Sequence, residues 1–208
     1  AQAQTPVANT VREVFGLTRD RMSDDEAIER VANPVHNIFF ADTLNNTTMS
    51  KLTRALEHAQ YVFRKKLSHS ADSQDQRHRM TPASRPVLFA HYVPGTPDCI
   101  WPDIFHKNPP LLEYAKGVAR ETWKTIDQLV DRGVKPEYAM YLLPNATAIR
   151  FTESGSLLDL FHKMHMRLCF LAQEEIWKAT VDETVQIQTV HPALGAHLGP
   201  PCHSRKLR

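Results

Sequence analysis

The longest regular pattern in the chain begins at Leu111, where Tyr114, Ala115, Val118, Thr122, Ile126, Leu129 and Val130 recur at three- and four-residue spacings. That spacing puts them on one face of a helix. Gly133 follows at the C′ position, where a left-handed residue closes a helix. Pro136 suits the first position of a short helix that ends before Pro144. Thr147-Ala148-Ile149-Arg150-Phe151-Thr152 reads as a strand, and helical periodicity then runs over 156–190 with a break near 167–170. Earlier, Ser23-Asp24-Asp25-Glu26 forms a capping box opening a helix to about Ala32, and Asn33-Pro34 stops it. Asn45-Asn46-Thr47-Thr48 is a turn. Ser50 can cap a helix whose apolar face is Leu52, Ala55, Leu56 and Ala59, and Tyr61-Val62-Phe63 is β-prone.

Between these patterned ends lie Pro82, Pro86, Pro94, Pro97, Pro102, Pro109 and Pro110. Proline removes a backbone donor and fixes φ, so 80–110 reads as an irregular connector. Its aromatic residues Phe89, Tyr92, Trp101 and Phe105 argue that it packs. The order is that of an α+β fold, with a mixed or antiparallel sheet packed with helices. Residues 1–208 are read as a single domain. Within it, 1–22 is a peripheral arm with little pattern beyond Val11, Val14 and Phe15, and 195–208 is a tail. From Gly199 that tail is a loop and a basic stub.

Composition adds mainly exclusions. The chain has 208 residues, 42% hydrophobic and 23% charged, with a net charge of +2. That balance suits a globular domain and gives no argument for a nucleic-acid partner. Cys99, Cys169 and Cys202 are scattered and odd in number, so a cytoplasmic, reducing setting is expected. No apolar run is long enough to span a membrane, and residues 1–10 lack the order of a signal peptide. The 11 histidines raise a metal hypothesis. His162 and His165 lie i, i+3 on one helix, but no second Glu-x-x-His exists, so they read as a half-buried pair. Cys202-His203 is at most half a zinc site. No metal is expected. Lys65-Lys66 reads as a solvated face, and Met164, Met166 and Leu168 read as core.

The candidate chemistry centres on Ser73-Gln74-Asp75-Gln76-Arg77-His78-Arg79-Met80-Thr81-Pro82. In strand geometry Arg77 and Arg79 share a face and His78 points the other way. Two guanidiniums on one face make a fork for a phosphate, a pyrophosphate or an electron-rich heterocycle. Taken alone, the stretch reads first as a solvated basic turn, because Gln, Asp, Arg and His are all common on surfaces.

Four further motifs change the balance. They are Pro136-Glu137-Tyr138-Ala139-Met140-Tyr141-Leu142-Leu143-Pro144, then Arg167-Leu168, then Ala172-Gln173-Glu174-Glu175-Ile176, with Leu56-Glu57-His58 upstream. In this order and spacing they resemble the flavin-dependent thymidylate synthases over roughly residues 50–190. The resemblance implies that family's α+β fold and a homotetramer with active sites at subunit interfaces. It also implies FAD, and transfer of a one-carbon unit from methylenetetrahydrofolate to dUMP with NADPH as reductant. By the same resemblance Arg77, His78 and Arg79 match the flavin-binding signature. Gln74 and Arg167 match catalytic positions that hold the nucleotide. His58 and Glu137 match the pocket wall, His58 with His162 on the cofactor's side and Glu137 on the substrate's.

Departures from the family pattern cluster among its nucleotide-binding residues. Val87 stands at a serine position, Phe89 and Met140 stand at arginine positions, and Ser156 and His162 fall near asparagine positions. Arg85 is the candidate substitute for a missing arginine. A bidentate arginine is worth about 1–3 kcal/mol to a phosphate, so losing two cuts nucleotide affinity heavily. The first reading is therefore a flavin-dependent thymidylate synthase or a close pyrimidine-modifying relative. The alternative is a degenerate, non-catalytic homologue that keeps the fold and the flavin. A metal-dependent hydrolase ranks third.

Overall fold

Where the alternation of β1 (Gln60–Ser68) is read residue by residue, Phe63, Lys65 and Leu67 are buried while Arg64 and Lys66 are exposed. This strand is one of three in the order β1-β3-β2 in the computed structural model, which describes residues 3–37 and 50–206. β2 (Ala83–Ser84) pairs antiparallel with β3 (Ala148–Ser156), setting Ala83 opposite Glu153 and Ser84 opposite Thr152. Helices accompany the small sheet, so the α+β class is met. The turn expected at Asn45-Asn46-Thr47-Thr48 lies outside the described residues. The chain divides into two units, the first of residues 1–63, 78–82 and 154–208, the second of residues 64–77 and 83–153.

The first unit is helical. α1 (Gln4–Phe15) ends at Gly16, whose φ of 65° supplies the left-handed cap. α2 (Asp24–Ala32) opens on the expected capping box, with Ser23 Oγ accepting from Glu26 N and the Glu26 carboxylate accepting from Ser23 N. Arg12 is buried and donates to the Met22 carbonyl and to Asp24 at 2.9 Å, fixing α1 against the start of α2. Within the expected peripheral arm, the described residues 3–22 therefore carry core side chains. Val7, Ala8 and Val11 are fully buried in the same cluster as Ile28, Val31, Leu56, Leu160 and Met164. The small side chains at Val7 and Ala8 hid this face from a reading that weighed only Val11, Val14 and Phe15.

The helix expected after Ser50 is a 3₁₀ helix, Thr53–His58, which buries Ala55 and Leu56. Its first residue still donates its N–H to Ser50 Oγ. The break near 167–170 is real: α7 (Leu157–Arg167) and α8 (Glu174–Val190) are separate helices. Trp177 Nε1 donates to the Leu168 carbonyl, tying the intervening turn to α8. Lys163, fully buried on α7, lies 3.3 Å from the carboxylate of Glu183 on α8. In the expected tail, Leu194 on α9 (Pro192–Gly195) and Leu198 join the core, and the loop-like end contains α10 (Pro201–Lys206).

Tyr61 and His191 form a part-buried polar pair in this unit, the hydroxyl 3.0 Å from Nδ1. Burial pushes the Tyr61 phenol up to about 12 and lowers the His191 imidazole, as it does that of His162. Tyr61 is thus the donor and neutral His191 the acceptor. An imidazole that resists its proton only when folded makes the unfolded chain the better proton binder. Stability is therefore intact above the ordinary value of 6.5 and declines as the pH falls through it. Melting curves at about pH 7.5 and about pH 5.5 are expected to show that decline, reduced in His191→Gln. An equal decline in both proteins would contradict the assignment.

In the second unit, α5 (Pro109–Asp131) starts on Asn108, whose side chain caps Leu111 N. It ends as expected at Gly133, with φ 86°, where Gly133 N bonds Val130 O and Val134 N bonds Leu129 O. Those two bonds make a Schellman closure. The buried stripe is Ala119, Trp123 and Ile126, so the expected face is rotated. Tyr114 is 73% exposed and Val118 47%. Periodicity locates an apolar arc but not what covers it. The proline-rich connector packs as expected: Tyr92 stacks on Trp123 and bonds Asp127, and Trp123 Nε1 donates to the Val93 carbonyl. It also carries β2, a 3₁₀ turn Leu88–His91 and α4 (Asp103–His106). α6 (Pro136–Ala139) begins on proline and runs into a 3₁₀ turn, Met140–Leu142.

Candidate functional site

α3 (His69–Asp75) leads into the Arg-His-Arg stretch. Ser68 caps it by accepting from Ala71 N, which fixes where its seven residues begin. Gln74 sits half-buried in its last turn. Arg77 N then donates to the Gln74 carbonyl and Thr81 N to the His78 carbonyl. Those two closures make 76–80 a pair of turns, as the solvated-turn reading has it and not as strand geometry would. Arg77 and Arg79 owe their spacing to turns, and no alternation places them on a common face. Both are exposed, and neither has a carboxylate partner among the described residues.

His78 is the fixed point. Its Nε2 accepts a 2.8 Å hydrogen bond from Arg167 Nε, at the C-terminal end of α7. A ring nitrogen that accepts carries no proton, so this histidine is neutral, with its proton on Nδ1. The His162 ring meets it edge-on with centroids 5.9 Å apart. Burial lowers the His162 imidazole, and its Nδ1 is buried without a hydrogen-bond partner. Ser156 caps α7 and thereby sets the phase that turns His162 and Arg167 toward His78.

In the first unit the structure thus brings together His78, His162 and Arg167, on a segment that continues into Arg79. His58 is exposed at the end of its 3₁₀ helix, with no ring contact or hydrogen bond to this trio. The second unit carries Gln74, Arg77, Arg85 and Glu137.

Arg85 has a different surrounding from the one expected. Its Nε donates to Asp72 at 2.7 Å, its guanidinium lies 3.6 Å from Asp75, and it stacks over Phe151. Lys65 joins the same cluster, 2.7 Å from Asp75 and 3.0 Å from Glu153, with its side chain 6% exposed. The reading of Lys65 as solvated is corrected; only Lys66, paired with Asp98, lies on the open face. This cluster holds α3 to the strands and so positions Gln74. Its signal in the sequence was a charged residue at an inward strand position: Lys65 between Phe63 and Leu67, and Glu153 two residues after Phe151.

Glu137, in the first turn of α6, lies in an open groove of about 320 Å³ with Val87, Leu88, Phe89, Met140 and Tyr141. Among the described residues no group of three or more His, Cys, Asp or Glu side chains could hold a metal. His165 is buried against Phe161. No described helix is long and apolar enough to cross a membrane.

Residues 3–193 match a family model described as thymidylate synthase complementing protein. Among curated proteins, the chain is similar to a flavin-dependent thymidylate synthase of Sulfurisphaera tokodaii, 29% identical over 71% of this chain and 57% of that protein. It is similar to one of Thermococcus onnurineus, 31% identical over 71% of this chain and 63% of that protein. A third, of Geobacter sulfurreducens, is 28% identical over 71% of this chain and 64% of the relative. The chain thus spans little more than half the length of the first of these relatives.

Proposed function

The chain belongs to the thymidylate synthase complementing protein family, and from that premise we propose that it carries out FAD-dependent methylation of a pyrimidine of the dUMP class. In the family's reaction dUMP becomes dTMP, methylenetetrahydrofolate supplies the carbon and NADPH the reducing equivalents. The observation that carries this reading is the neutral His78, pinned by Arg167 and flanked in the chain by two arginines without a carboxylate partner among the described residues.

These residues fit FAD. Arg77 and Arg79 supply uncompensated positive charge for a pyrophosphate or for the anionic reduced ring. His78 is held in place by Arg167, and the orphaned Nδ1 of His162 awaits a partner. Bound FAD would store the reducing equivalents and release them to the one-carbon unit on the pyrimidine. The chain's own part is position and charge. Gln74 can both donate to and accept from a pyrimidine edge. Arg167 holds His78 in one tautomer and brings its charge toward the nucleotide. Glu137 and His58 are assigned to the pocket wall. Arg85 is assigned to steadying α3, because its guanidinium already serves Asp72.

A homotetramer in the cytoplasm completes the proposal, and the exposed face of Tyr114 and Val118 on α5 supports a subunit contact. Purified protein is expected to be yellow and to bleach with NADPH. It should also restore growth to a thymidine-requiring strain. Flavin that stays oxidised, or protein without flavin, would instead favour the non-catalytic homologue.

A further inference from the structure

The first unit carries a cavity made by none of the residues assigned to flavin or pyrimidine. Its volume is about 250 Å³, and Arg21, Met22, Glu26, Glu29, Arg30 and His36 line it. Three stretches meet there. Arg21 comes from the turn closed by its own N–H on the Thr18 carbonyl, and Glu26, Glu29 and Arg30 come from α2. His36 comes from the turn that follows α2, where its N–H bonds the Asn33 carbonyl.

Residues 1–36 hold four arginines, and the fold treats them differently. Arg12 and Arg19 both donate to Asp24. Arg21 and Arg30, the two that line the cavity, have no carboxylate partner among the described residues, although Asp20, Asp25, Glu26 and Glu29 are close in the chain. Arg30 instead lies 5.1 Å over the Phe15 ring, which steadies the guanidinium without using its N–H donors. The carboxylates of the lining are engaged elsewhere. Glu26 accepts from the N–H and the hydroxyl of Ser23, and Glu29 accepts from Asn33 and from His197 Nε2. What the cavity lacks is an acceptor for two guanidinium forks.

A planar carboxylate is matched by one fork, whereas a tetrahedral oxyanion presents oxygens in several directions and can meet forks arriving from two elements. The volume lies below the range of about 300–1,000 Å³ usual for small-molecule sites, so it admits a phosphate with a short substituent and excludes a nucleotide. We propose that this cavity binds a small phosphate-bearing anion through Arg21 and Arg30, as a second site on the chain.

Calorimetric titration of the full chain with inorganic phosphate, and separately with glycerol phosphate, tests it. The variant Arg77→Ala with Arg79→Ala is titrated alongside, to remove any phosphate taken up by that arginine pair. A dissociation constant of about 1 mM or tighter is expected for at least one probe in both proteins, the tighter probe naming free phosphate or a monoester as the source. Arg21→Gln and Arg30→Gln, both at exposed positions, should each weaken it by about tenfold or more. Acetate should bind at least about tenfold more weakly than phosphate. Absence of binding by both probes would overturn the proposal, as would affinity unchanged in both glutamine variants. Acetate binding as tightly as phosphate would overturn the choice of anion. Binding lost in the Arg77→Ala, Arg79→Ala protein but kept in the glutamine variants would place the phosphate at the flavin arginines and overturn the second site.

Discussion

Replacing Lys65 with methionine is expected to destabilise the protein by about 3–5 kcal/mol. The ammonium lies within 3.0 Å of both Asp75 and Glu153, and Glu153 is 0% exposed. Methionine fills nearly the same space but leaves those carboxylates without the cation they share. Breaking such a group is far more costly than never building it, because the residual charge stays out of water. Lys66→Met is the control. That side chain is 43% exposed and pairs with Asp98 on the open face, so its loss should stay within about 1 kcal/mol. Urea unfolding of the two variants measures the difference, and equal losses would show that Lys65 is solvated after all. A smaller loss in Lys65→Met with Glu153→Leu than in Lys65→Met alone would trace the effect to the stranded carboxylate. Since Asp75 ends α3, Lys65→Met should also disturb Gln74, one residue before it.

The double variant Arg77→Ala with Arg79→Ala should weaken FAD binding by about 10²- to 10⁴-fold, from two charge-assisted contacts of about 1.5–3 kcal/mol each. Both side chains are exposed and lack a carboxylate partner among the described residues, so folding stability should change by no more than about 0.5 kcal/mol. That separation distinguishes a binding role from a structural one. Arg64→Ala, another exposed arginine on β1, should leave FAD affinity unchanged. Fluorescence titration of FAD reads all three proteins. Equal affinity across them would remove the arginines from the cofactor's site.

Much of the architecture is written locally. Ser23 and Glu26 cap α2, Gly133 closes α5, Pro136 starts α6, and the break between α7 and α8 falls beside the expected residues. Each is decided within one turn of helix, where a few side chains satisfy backbone groups the helix leaves open. What a local reading missed depends on contacts distant in sequence. The bond between Arg167 and His78 spans 89 residues, and neither neighbourhood hints at the other. Lys65 looked solvated beside Lys66 because two adjacent lysines read as one charge run, although strand alternation sends them to opposite faces. The turns at 76–80 agree with the solvated-turn reading of that stretch and not with strand alternation, because their hydrogen bonds are made by the backbone, whose path side-chain types specify only weakly. The rotated face of α5 shows the converse: a clear pattern, and a burial that only the packed chain determines.

The central claim is that His78, held by Arg167 between Arg77 and Arg79, marks the flavin site. A crystal structure grown with excess FAD tests it most directly. The account predicts isoalloxazine or pyrophosphate density in contact with both guanidiniums, with the His78–Arg167 bond kept. FAD bound elsewhere, with Arg77 and Arg79 still turned into solvent, would contradict it.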